Sequence, residues 1–179
     1  MTTLLETEIK QVMNNFIDLK IMTCEKNNGP QDLAPMYHVV LENDDILAAI
    51  APLDKHPVEA LRDTLPLVLF NNNPKFTMFM TEGYMRSIAS LKETKNHVRG
   101  QLEQEFKENP AADVKETINV HGMDRSGTQV MGVVTFTYDD QGRPVFDEPM
   151  FAEVVEEMLE ANVPQIFALS YQYVKAMTN

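Results

Sequence analysis

The chain has 179 residues, with 15 Lys plus Arg against 27 Asp plus Glu, and a formal charge of −12 with its four His neutral. That length suits one domain. Leu, Ile, Val and Phe hold 48 positions, above the roughly 20% of a chain below which disorder sets in, so a buried core is expected. The longest apolar run is Ile46 to Ala51, far short of the roughly 20 residues that cross a bilayer, and no basic-then-apolar leader opens the chain; neither a membrane span nor secretion is expected.

Cys24 is the only cysteine, so an intrachain disulfide and a Cys-based zinc framework are excluded by count. With twelve Met, whose thioethers suffer in oxidising surroundings, this points to a cytoplasmic setting. Over half of the excess negative charge lies between Asp139 and Glu160, where Arg143 is the only cation. No Lys/Arg cluster is present to displace counterions from a phosphate backbone, so no nucleic-acid partner is expected. The acidic stretch itself reads as a solvated face.

Thr3 with Glu6 makes a capping box, and Leu5, Ile9, Val12, Met13, Phe16, Ile17 and Ile21 recur at spacings of three and four, which predicts an amphipathic helix over 4–21. A loop from Cys24 to Pro35 follows. Residues 36–42 and 46–53 read as two antiparallel strands joined at Asn43-Asp44-Asp45. Pro57 opens a helix capped near Asp54 or His56 that runs to about Phe70, with a kink or early stop at Pro66. Residues 75–81 carry apolar groups on both sides and read as an interior strand. A strand, a helix and a strand in succession imply a crossover and hence one parallel pair. Residues 87–113 read as a less ordered excursion that includes a short helix. Strands over 114–121, 128–138 and 143–146 form a meander, with glycine turns at Gly127 and Gly142 and Pro144 placing the last strand at an edge. Two closing helices are expected, one carrying Phe151, Val154, Val155, Met158 and Leu159, the other Phe167, Tyr171 and Val174.

Motifs for a phosphate-binding loop, a dinucleotide fold, a zincin, a serine hydrolase and an EF-hand are all missing, so no cofactor and no metal are expected. Polar groups at strand ends remain. His121, Asp124 and Arg125 gather an imidazole, a carboxylate and a guanidinium within five residues, which could serve acid/base chemistry but also suits a hairpin turn. Glu82, Tyr84 and Arg86 follow the interior strand, where ligands bind in sheets with parallel pairs. Asp44, Asp45, Asp54 and His56 offer cation ligands, but lie at opposite ends of one strand. His38 and His97 read as structural, and Met78, Met80 and Met85 as sheet-face filling.

The expected fold is therefore a single α+β domain: a mixed, mostly antiparallel sheet of five to six strands with helices on at least one face. The expected function is a non-catalytic protein-interaction or self-associating module, with a protein partner or a homodimer. The alternative is an enzyme or small-ligand binder with a pocket near Glu82, Tyr84, Arg86 and the His121 to Arg125 turn.

Overall fold

A computed structural model describes residues 3–86, 114–156 and 162–178. Helix α1 (Leu4–Asn27) starts where Thr3 Oγ1 accepts the Glu6 N–H at 3.1 Å, and ends where Asn28 enters the left-handed region. It runs past the expected end at residue 21, because Lys20 and Cys24 continue the buried stripe of Ile9, Met13 and Phe16 and the first true breakers are Asn28 and Gly29.

Strands β1 (Met36–Val40) and β2 (Ile46–Ile50) form the expected hairpin. Helix α2 (Pro57–Asn72) is capped by His56, whose side chain accepts the Val58 N–H. The helix passes through Pro66 without stopping, held by Leu61, Leu65 and Leu69, all buried on the sheet side. Strand β3 (Phe76–Arg86) pairs along its whole length with β4 (Val114–Asp124), which pairs in turn with β5 (Gln129–Tyr138). The positive-φ glycines Gly127 and Gly142 sit in the two meander turns as expected. Strands β6 (Pro144–Phe146) and β7 (Met150–Glu153) share the outer side of β5, and helix α3 (Asn162–Thr178) closes the described chain.

The α+β class holds, with a sheet in the order β2-β1-β3-β4-β5-β6 and β7 also on β5. All its described pairs are antiparallel. The crossover through α2 does carry β3 in the direction of β2, but β1 lies between them, so the expected parallel neighbours do not touch. A second correction concerns Met150–Glu153, expected as the start of a helix. It is a strand, since β5 extends beyond β6 and offers Val130 to Val133 as ladder partners. The expected excursion over 87–113, with its helix and His97, lies outside the described residues.

Helices cover both faces. Strand residues Val40, Met78, Met80, Ile118, Val120, Val134 and Phe136 pack under α1, while Tyr37, Val39, Phe79 and Met123 pack under α2 and α3. Close approach of α1 depends on Gly122 and Gly132: a Cβ at Gly122 would lie 2.7 Å from Ile9 Cδ1, and one at Gly132 would lie 2.8 Å from the Phe151 ring and 3.2 Å from Ile9 Cγ2. Among the described residues no helix is long and apolar enough to cross a membrane.

Candidate functional site

The alternation of β3 and β4 divides the expected site residues between the two faces. Glu82 shares a face with Met78 and Met80, under α1; His121 sits opposite Phe79, under α2 and α3. Glu82 is in register with Ile118, three residues from His121, so the sheet itself separates the two groups. Tyr84 and Arg86 are placed by backbone only, in register with Glu116 and Val114.

His121 is buried, with its ring 4.6 Å from that of Phe167. Its Nε2 lies 2.7 Å from Gln129 Oε1, while Gln129 Nε2 donates to the Pro164 carbonyl, which assigns the proton to Nε2. Nδ1 then has no partner among the described residues, and burial lowers the pKa to about 4 against the lift from Gln129. A neutral imidazole at neutral pH, closed off from solvent, fits packing between strand and helix. Asp124 Oδ1 accepts from the N–H of Ser126 and of Thr128 and from the Ser126 hydroxyl, so its carboxylate builds the turn. Arg125 donates to the Asn73 carbonyl at 2.9 Å and pairs with Glu42. Asp124 and Arg125 border a cleft of about 190 Å³ between the ends of α2 and α3, smaller than the roughly 300 Å³ at which ligand pockets begin.

The metal-donor group Asp44, Asp45, Asp54 and His56 is not assembled: Asp44 pairs with Lys75 at 2.7 Å, Asp45 bonds Asn43, and His56 caps α2. His38 lies half-buried on β1, its pKa lowered by burial with Glu8 working against that.

Glu82 belongs to a group that the linear sequence did not bring forward. Lys20, fully buried, reaches across from α1 and places Nζ 2.9 Å from each Glu82 carboxylate oxygen; it also donates to the Gln31 carbonyl and lies over the rings of Phe136 and Tyr138, at 5.1 and 5.7 Å. Glu82 accepts the Leu33 N–H at 3.2 Å. Burial opposes the Lys20 charge, but bonds to Glu82 and Tyr138 outweigh it and hold the pKa above the usual lysine value. Burial pushes Glu82 up, and Lys20 and the Leu33 N–H only partly reverse this. Asp32 and Glu116 can each bring a carboxylate oxygen within 4.8 Å of one from Glu82, beside a cleft of about 190 Å³. A cation entering there would compete with an ammonium already in place. The chemistry of the group is that of a clasp: three donors of one ammonium tie α1, the 28–35 connection and β3 together, and Lys20, held protonated, is no base at neutral pH.

Comparison with protein-family models, with curated proteins and with solved structures found no match.

The second unusual feature is β2. Its five residues are all apolar and all exposed, with Ile46 at 57%, Leu47 at 45% and Ile50 at 61%. The bonds Leu41 N–H to Asp45 O and Ala51 N–H to Pro35 O fix the ladder at both ends of the hairpin. Alternation from those pairs turns Leu47 and Ala49 toward β1, and turns the N–H and C=O of Ile46, Ala48 and Ile50 to the open side. Among the described residues no strand takes them up. Leu53, just past the strand, is also 69% exposed. The run Ile46 to Ala51 is the longest apolar stretch of the sequence and lacks the polar alternation expected of a strand with a solvent face, yet the residues of β2 on both sides are exposed.

Proposed function

We propose that the chain is a non-catalytic interaction module whose working surface is the open edge of β2, and that it takes up an extended strand of a protein partner. The observation that carries this reading is an all-apolar edge strand whose five residues are all exposed, with three residues' backbone groups turned outward. Exposed sheet edges in folded proteins are kept short, charged or covered, because an unpaired ladder is a template for another chain. This edge has no charge, no proline and no bulge from Ile46 to Ile50. Strand addition would give affinity through the backbone and selectivity through alternate side chains. The buried single cysteine, the twelve methionines and the net negative charge support a cytoplasmic setting and a protein rather than a nucleic-acid partner.

The test is a selection of displayed random peptides against the immobilised chain, counter-selected with the double variant Ile46→Lys, Ile50→Lys. Enrichment of alternating apolar peptides that bind the wild type and not the variant is the expected result. Peptides that bind both equally, or no enrichment, would overturn the reading.

A further inference from the structure

We propose that the occupant of this edge is a second copy of the chain, added antiparallel about a two-fold axis through Ala48, so that the two sheets run on as one; this rests on the reading of β2 as the working edge. The outward backbone groups belong to Ile46, Ala48 and Ile50, a sequence that reads the same from either end. With Ala48 opposite the partner's Ala48, Ile46 falls opposite the partner's Ile50 and Ile50 opposite the partner's Ile46. Every outward N–H and C=O then meets an outward counterpart, and none is stranded.

Side-chain sizes agree with the same register. On the α1 side two Ile pairs flank an Ala pair; on the other side each Leu47 faces the partner's Ala49, large against small on both halves. A two-fold contact must be self-complementary in this way, and a heterologous partner would give the palindrome no role. The strand carries no charged side chain, so pairing sets no like charges opposite one another despite the formal −12 on each copy. Five residues of strand extend about 17 Å, and with the exposed Leu53 just past them the contact falls toward the small end of specific interfaces, on the order of 1,200 Å² in total. A contact of that area makes a reversible dimer rather than an obligate one. Long-range repulsion between two acidic bodies further weakens it at low ionic strength, so association strengthens as salt is added.

Light scattering and sedimentation of the full chain from about 1 to 200 µM at low and high salt read the association, and Ala48→Cys reads the register under mild oxidation. Paired residues with outward backbone groups lie about 5.5 Å apart at Cα, within disulfide reach. The expected result is a concentration-dependent dimer, tightened by salt and weakened at least tenfold by Ile50→Lys, with Ala48→Cys forming a covalent dimer. Ile46→Cys alone forms none, whereas Ile46→Cys mixed with Ile50→Cys does. The wild type, whose Cys24 is buried, is the control for background oxidation. Ile46→Cys cross-linking to itself as readily as Ala48→Cys would overturn the two-fold register. A monomer at all concentrations that still binds edge-dependent peptides overturns the second copy alone; a monomer that binds none overturns the edge reading as well.

Discussion

Replacing Lys20 by Met removes the ammonium from the clasp while keeping much of the buried volume. Glu82 is then left with a side chain only 12% exposed, the single Leu33 N–H at 3.2 Å, and two further carboxylates whose oxygens approach within 4.8 Å. Each of those repulsions is worth about 1 kcal/mol at the dielectric of water and more in a half-buried place. Taking up a proton relieves the strain and limits the loss: leaving one partner of a buried pair uncompensated costs about 3 kcal/mol at pH 7, and less at pH 5, where a carboxyl already pushed up by burial takes a proton more readily. The sign follows from linkage. A carboxyl whose folded pKa is raised favours the fold below its unfolded value and loses that advantage as pH rises through the folded one, so the deficit of Lys20→Met relative to wild type grows from pH 5 to pH 7. Urea titrations followed by circular dichroism at both pH values measure it, and at about 2–4 °C per kcal/mol for a chain of this size the midpoint of thermal unfolding drops by about 6–12 °C at pH 7. Adding Glu82→Gln to Lys20→Met recovers about 2 kcal/mol, because the uncompensated charge goes with it. A loss below about 1 kcal/mol at pH 7, or one equal at the two pH values, would refute the clasp.

Gly122→Ala forces a methyl against Ile9 and Met78 and lowers stability by about 1–3 kcal/mol, read by the same titration. His121, with its folded pKa depressed to about 4, gives stability that is complete above pH 6.5 and is lost as pH falls from 6.5 toward 4, on the order of 3 kcal/mol in all; His121→Leu flattens that part of the stability-against-pH curve, and an unchanged slope would count against a buried neutral ring. Pro66→Ala restores a helical N–H inside α2 and raises the thermal midpoint by a few degrees, the gain being trimmed by packing lost against α3. Ile46→Lys with Ile50→Lys leaves the unfolding free energy within about 0.5 kcal/mol of wild type, since both side chains are more than half exposed; a larger loss would mean that β2 is held by more than its ladder to β1.

What could be read from the chain was what is local. The stripe of Ile9, Met13 and Phe16, the Asn43-Asp44-Asp45 turn, His56 with Pro57, and the glycines of the meander each act within a few residues, and each structure formed where the residues placed it. Strand order is not local. That β1 separates β2 from β3 depends on which ladder wins, and the strand Met150–Glu153 exists because β5 has a vacant outer side, although Phe151 and Val154 suit a helix equally well. The clasp spans 62 residues from Lys20 to Glu82. Lys20 nevertheless left a trace: it stands four residues after Phe16 and four before Cys24, a charge on the apolar stripe of α1, where only a specific counter-charge would tolerate it.

The two ends of the sheet are unlike. At one lies β2, whose outer side no described strand covers; at the other the outer side of β5 is shared by β6, three residues long and begun by Pro144, which has no N–H to give, and by the four-residue β7. A chain with two bare ends could string into fibres, each copy seeding the next. If copies couple through β2 as proposed, the pairing uses up this apolar outer strand, and among the described residues the doubled sheet then ends on the short β6 and β7 at both sides, so assembly through β2 ends itself at two.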